Sequence, residues 1–219
     1  QPIEHETQIR LLEQMLNHKG EMACLCLRPA DAAETNEAWG LSLENKNAPT
    51  ALILSRQNLK NLPGTDGKSR EFSATELSKG AYIVSGTQKN IDLILLASGS
   101  EVFLCEELAR NLRLNHRLNV RVVSVPSEGL FRSQPEDYQN SVIPKGATCL
   151  GITAGLPRNL EGLVGSLGEV YGLSRFGASA SFDVLDEKFG FTVSNLEKEA
   201  LALVQNRASR VTEIIKTLK

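Results

Sequence analysis

An α/β fold is what this sequence predicts. A three-layer α/β/α domain with a mainly parallel sheet is expected over residues 81–219, preceded by an incomplete α/β piece over residues 1–60. Three observations carry the prediction. Apolar runs such as Ala51–Leu54 and Leu93–Ala97 lack the alternation of a half-solvated strand, so they fit strands covered on both faces, as in parallel sheets. Helical patterns separate the strand-like runs, as right-handed βαβ crossovers require. The first sixty residues offer only two strands, too few for a stable sheet, whereas the stretch after residue 80 offers a full set.

The elements follow in order. Ile9, Leu12, Met15 and Leu16 form a helical stripe, and Met22–Leu27 reads as a strand. Asp31-x-x-Glu34 resembles a capping box, with Asp replacing Ser or Thr, and opens a helix toward Leu43. Thr50–Ser55 is the second strand. Residues 61–80 are polar and turn-rich, with Pro63-Gly64, Asp66-Gly67 and Gly80, and read as a linker in which Ser73-x-x-Glu76 could cap one turn. Beyond it, strands are expected at Ala81–Val84, Leu93–Ala97, Val120–Val125, Thr148–Thr153 and Glu169–Leu173. Ser98-x-x-Glu101 fits a capping box for a helix toward Leu114, with Ser100 as the alternative N-cap. Phe131–Tyr138 is irregular or a short helix, and Glu161–Leu167 is helical. Ser194-x-x-Glu197 opens a last helix with the stripe Leu196, Ala200, Leu203, Val204, Val211, Ile214, Ile215 and Leu218.

Composition bounds the function. Of 219 residues, 41% are hydrophobic and 23% charged, an ordinary globular balance, and the net charge of −2 supplies no basic field for nucleic acid or anionic lipid. Ile91–Ala97, the longest strongly apolar run, contains Asp92 and is too short to span a membrane. Cys24, Cys26, Cys105 and Cys149 lack zinc-ligand spacing and read as free buried thiols of a reducing compartment, so a cytoplasmic location is expected. His5, His18 and His116 do not cluster with cysteines or carboxylates.

Chemistry concentrates at residues 50–58. The apolar run gives way to Ser55-Arg56-Gln57-Asn58 at the carboxyl end of a strand, where open α/β sheets hold ligands. Arg56 there is either a fork for a phosphate or carboxylate, or one half of a surface ion pair. Ser98-Gly99-Ser100 follows a strand and opens a helix; it is either an anion cradle or a plain βα turn. Arg175-Phe176-Gly177-Ala178-Ser179 reads as a structural turn, with interface contact as the alternative.

Seven segments occur in a telling order: Gln1-Pro2-Ile3-Glu4, Leu27-Arg28-Pro29-Ala30-Asp31-Ala32-Ala33-Glu34, Pro49 through Leu59, Ala97-Ser98-Gly99-Ser100-Glu101-Val102, Val122 through Ser127, Arg175 through Ala180, and Lys188-Phe189-Gly190-Phe191-Thr192. Together they resemble the C-terminal third of a transketolase, over nearly the whole chain. The resemblance implies the end of a thiamine-diphosphate pyrimidine-binding domain at 1–60, a linker at 61–80, and a transketolase C-terminal domain at 81–219. It carries over to Arg56 a contact with the phosphate of sugar-phosphate substrates. Gln1 would adjoin an active-site histidine that in the family precedes this motif. The activity implied is transfer of a two-carbon ketol unit between ketose and aldose phosphates, with thiamine diphosphate and a divalent metal such as Mg2+ held by regions outside this sequence. No catalytic, cofactor-binding or metal-binding residue is then expected in the chain itself. It reads as a fragment, inert alone, completed by the preceding part of the same protein and by a homodimer partner. Two alternatives stand beside this: an assembly module without catalysis, and a piece of a related enzyme such as dihydroxyacetone synthase.

Overall fold

The computed structural model describes residues 3–65 and 67–217; Gln1, Pro2, Asp66, Leu218 and Lys219 lie outside the described residues, as do the side chains of Glu213, Ile214, Ile215 and Thr217. In chain order the elements are α1 (His5–Leu11), β1 (Leu25–Leu27), α2 (Ala32–Glu44), β2 (Thr50–Leu52), α3 (Arg70–Ala74), β3 (Tyr82–Ser85), β4 (Leu93–Ala97), α4 (Glu101–His116), β5 (Val120–Ser124), α5 (Glu128–Arg132), α6 (Glu136–Val142), β6 (Cys149–Ile152), α7 (Arg158–Val164), β7 (Glu169–Tyr171), α8 (Phe182–Phe189), α9 (Val193–Gln205) and α10 (Arg207–Thr217). Single 3-10 turns at Leu12–Gln14 and Thr75–Lys79 extend α1 and α3.

The strands form two sheets. β1 and β2 pair in parallel, Leu25 opposite Thr50. The second sheet runs β3-β5-β4-β6-β7, parallel except for β3, which pairs antiparallel with β5 at one edge. β4 lies at its centre with all five residues fully buried, because both faces are covered. Leu93, Leu95 and Ala97 pack with Leu108, Leu112, Leu196 and Leu203 of α4 and α9. Ile94 and Leu96 pack against Phe131, Val142 and Leu160 on the other side. Each such leucine contributes about 1.5–3 kcal/mol by burial. This is the expected three-layer α/β/α arrangement around a mainly parallel sheet.

Several local expectations are corrected. The stripe Leu12, Met15 and Leu16 does not face a core: α1 ends at Leu11, the chain turns, and all three side chains are exposed while Glu13 is buried. β2 stops at Leu52 and its residues are only half-buried, since β1 is its one neighbour in the sheet. Within residues 61–80, where Leu62, Ala74 and Leu77 are buried, Ser69 rather than Ser73 caps α3. The last helix is two, α9 and α10, meeting at Asn206, and Thr192 caps α9 in place of Ser194. α8 was not expected from the sequence pattern.

Asp31 caps α2 by accepting from the Glu34 backbone N–H at 2.9 Å, and Glu34 reaches back to the N–H of Ala30 at 2.8 Å. The capping box is thus real but displaced by one residue on its return arm. Gly80 closes the turn into β3 at φ +82°, a conformation glycine adopts without steric cost, and a Cβ there would stand 2.2 Å from the Phe131 backbone nitrogen.

Candidate functional site

In an open α/β sheet the ligand crevice lies beyond the carboxyl ends of the strands, where strand order reverses. Here β5 lies on one side of β4 and β6 on the other, so the loops after β4 and β6 diverge at that point. The crevice is filled by the amino-terminal part of the same chain. Thr7 of α1 donates to Asn159 Oδ1 at 2.6 Å. Arg10 donates from Nη2 to Ser98 Oγ at 3.0 Å and from Nε to Glu6 at 2.8 Å. Arg28, which follows β1, donates to the Ser98 carbonyl and to Glu101, both at 2.5 Å, with a second bond to Glu101 at 3.2 Å. Its Nε stands 3.4 Å from Glu6.

This seam explains a failed expectation. Ser98 and Glu101 do not form a capping box; α4 starts from Ser100 without a side-chain cap. Charge-assisted bonds from a guanidinium are about twice as strong as neutral ones, so the arginines claim both side chains. Gly99 makes room for them: at φ +61°, a Cβ there would lie 2.7 Å from Arg28 Cζ. Burial alone would raise the Glu6 carboxyl, but Arg28 and Arg10 outweigh it and hold the group below its ordinary range. Burial likewise disfavours charge on Arg28, yet Glu101 and Glu6 hold its pKa above the usual value.

A second seam joins α2 to the large sheet. Arg70 forks onto Asp31 at 2.7 and 3.1 Å and reaches Glu34 at 3.2 Å. Glu34, fully buried, also accepts from Tyr82 Oη at 2.5 Å and Ser124 Oγ at 2.8 Å. In a third, Glu13 accepts from Ser127 Oγ at 2.5 Å and from the backbone N–H groups of Cys26 and Gly129; burial raises its carboxyl above the usual range. Neither sequence pattern nor composition singled out Glu6, Arg10 or Arg70.

Beside the first seam a cavity of about 370 Å³ remains, lined by Ile3, Glu6, Arg28, Gln57, Gly155 and Phe189 among others. Gly177 and Ala178 of the turn after β7 also border it, and the Arg175 guanidinium lies over the Phe189 ring at 5.4 Å. Five of the sequence motifs therefore converge on one cavity. Arg56 stands just past β2, exposed, with no ion-pair or hydrogen-bond partner among the described residues, while its neighbour Gln57 turns into the cavity. The ion-pair alternative for Arg56 is thus not realised within the described chain. His5 lines the cavity with an exposed ring. Gln1 lies outside the described residues. Ser98-Gly99-Ser100 serves neither as a bare turn nor as an empty cradle: it receives the chain's own arginines.

All four cysteines are free and buried, with burial pushing the thiols of Cys26 and Cys149 up to about 12. Among the described residues no group of three His, Cys, Asp or Glu could hold a metal ion, so no metal seat is built from them. No described helix is long and apolar enough to cross a membrane.

Comparison with known proteins places this architecture. Residues 80–192 match the family model of the transketolase-like C-terminal domain. The transketolase of Halalkalibacterium halodurans is 39% identical over 197 residues, covering 90% of this chain and 29% of that protein. A Pichia stipitis transketolase solved in complex with sedoheptulose-7-phosphate superposes with a TM-score of 0.77 at 31% identity, over 95% of this chain and 28% of that one. A split-gene transketolase described as an inactive β4 tetramer shares the fold at 16% identity and a TM-score of 0.65, over 95% of this chain and 63% of that one. The chain thus spans less than a third of the transketolases it matches at higher identity. With the sheet order, the converging motifs and these matches together, the chain belongs to the transketolase family, of which it carries the C-terminal domain.

Proposed function

We propose that this chain works as part of a transketolase and that Arg56 holds the phosphate of its sugar-phosphate substrates. The observation that carries the reading is the uncommitted guanidinium itself. Arg10, Arg28, Arg70 and Arg121 are buried and engaged, whereas Arg56 projects unpartnered past the carboxyl end of a parallel strand. A phosphate is the charged handle of such a substrate, remote from the reacting carbonyl, and binding it there orients the other end. The related Pichia stipitis protein was solved with a sugar phosphate bound. In this reading residues 1–60 act as the end of a pyrimidine-binding domain, 61–80 as its connection and 81–219 as the C-terminal domain. Gln1, outside the described residues, would adjoin the active-site histidine that precedes this motif in the family.

Thiamine diphosphate supplies the carbanion chemistry in such enzymes, and a divalent metal such as Mg2+ anchors it. In this reading both are held by the rest of the protein and by the partner of a homodimer. The chain alone is therefore inert. Free buried thiols accord with a cytoplasmic setting.

The test is substitution of Arg56 by Ala in the complete gene product. A charge-assisted contact of about 1.5–3 kcal/mol predicts that KM for phosphorylated sugars rises roughly 10- to 100-fold. An unphosphorylated acceptor should be used as before. Equal losses with both substrate types would remove the phosphate assignment, and measurable ketol transfer by the isolated 219-residue chain would refute its inertness.

A second reading, an assembly module, draws on one observation. Leu11, Leu12, Met15, Leu16, Trp39, Leu43 and Leu54 are large apolar side chains exposed within the first sixty residues. Surfaces of that kind mark contacts with other protein. Self-association of the isolated chain, measured by sedimentation, distinguishes this reading from a monomer.

A further inference from the structure

The ligand crevice of the large sheet is occupied by the chain's own amino-terminal segment, and Arg28 is the residue that locks it there. We propose that Arg28 is a positioning residue through which the C-terminal domain orients the segment Ile3–Glu6 and Gln57 beside the phosphate site. This inference rests on the transketolase reading above.

The geometry makes Arg28 a hub. Both terminal nitrogens of the guanidinium are fixed to the C-terminal domain, Nη1 by the Ser98 carbonyl and Glu101 Oε2, Nη2 by Glu101 Oε1. Its Nε faces Glu6 of α1, the helix that directly follows the Gln1–Glu4 motif. Its backbone is tied as well: Arg28 N–H donates to the Pro126 carbonyl at 2.9 Å, and Gly99 N–H donates to the Arg28 carbonyl at 3.2 Å. The side chain is only 11% exposed, and what exposure it has opens on the cavity that Ile3 and Gln57 also line. Gln57 is the immediate neighbour of Arg56. A fork held rigidly at its two terminal nitrogens and ion-paired through Nε with Glu6 of α1 transmits position. A lysine could keep the charge but not the fork. This gives the C-terminal domain a task in catalysis without a group of its own near the reacting atoms: it sets where the amino-terminal segment stands.

The cavity also supplies the means of testing this, because it gives solvent access to the space an alanine would leave at position 28. The experiment compares the parent, Arg28→Ala and Arg28→Lys in the complete gene product, with and without millimolar guanidinium ion. Two quantities are read: the melting temperature, and kcat and KM for ketol transfer. Guanidinium is expected to raise the melting temperature of Arg28→Ala and leave that of the parent unchanged. Positioning predicts a kcat of Arg28→Ala lowered about 10- to 100-fold, the range produced by small misplacements. KM for phosphorylated sugars should change far less, and guanidinium should restore kcat. Arg28→Lys should melt near the parent and still show most of the kcat loss. If guanidinium restores the melting temperature but not kcat, or if Arg28→Lys retains parental kcat, Arg28 is a structural tie and the proposal is overturned. A parent without ketol transfer would instead refute the functional reading, while the melting data would still decide whether the seat exists.

Discussion

The two halves of this molecule are held together by different physics. Residues 81–205 form a five-stranded sheet whose faces are sealed by leucine, valine and phenylalanine from α4, α9 and α5–α7. Residues 3–60 have two three-residue strands, and their own buried apolar cluster is Leu25, Leu27, Ala38 and a borrowed Leu77. What fixes this half is a set of buried carboxylates and arginines that cross to the large sheet. The difference teaches that the amino-terminal half takes its order from its neighbour. Its polar seams specify one orientation, where an apolar face would tolerate several.

The sharpest way to break the comparison is Arg70→Met. Removing one partner of a buried ion pair costs about 3–5 kcal/mol, because Asp31 and Glu34 would be left charged without compensation. The loss should be local: amide exchange should accelerate over residues 25–52 while β4 stays protected. Uniform acceleration would mean that the two halves unfold as one unit.

Gly99→Ala comes next, at about 1–3 kcal/mol, from a left-handed backbone that alanine resists and from the clash with Arg28. Its thermal melt should show the loss, and Arg28→Ala in the same chain should relieve the part due to the clash.

Acidification sharpens the comparison at smaller scale. Glu6 and Asp31 are both held below their ordinary values, Asp31 because hydrogen bonds from Arg70 and two backbone N–H groups outweigh burial. A carboxyl depressed in the folded state contributes its stability above the unfolded pKa and loses it as pH falls, here below about 4. Glu13 and Glu34, raised by burial, titrate in the opposite sense. Limited proteolysis should therefore cut the first sixty residues before the large sheet as pH drops below about 4. The smallest effect is expected for Trp39→Gln and Leu54→Gln, about 0.5 kcal/mol or less on melting, since both side chains are already exposed. A change in sedimentation without a change in melting would identify them as contact residues.

Arg121 shows how far sequence reading reaches and where it stops. It sits on β5 in a run that is otherwise apolar, and nothing in Val120-Arg121-Val122-Val123 says that the side chain is buried. In the fold its five N–H donors all find backbone carbonyls of Thr87, Gln88, Ser141 and Val142, with no carboxylate beside it, and burial lowers its pKa. Those carbonyls lie up to 34 residues away, and no local pattern encodes them. The capping box at Ser98-x-x-Glu101 failed for the same reason. Its local chemistry was sound, but Arg28, 70 residues earlier than Ser98, offered the stronger bond.

By itself the sequence determined the α/β class, the strands of the large sheet to within a residue or two, and the motifs that mark the family. Those features follow from short-range periodicity and from contiguous residues. The tertiary structure alone decided that the crevice at β4 is filled from within and that the motifs meet at one cavity. It also decided that the amino-terminal half is fastened by charge. Each of these depends on bonds between residues far apart in the chain, whose strength is set by burial that no local stretch can reveal.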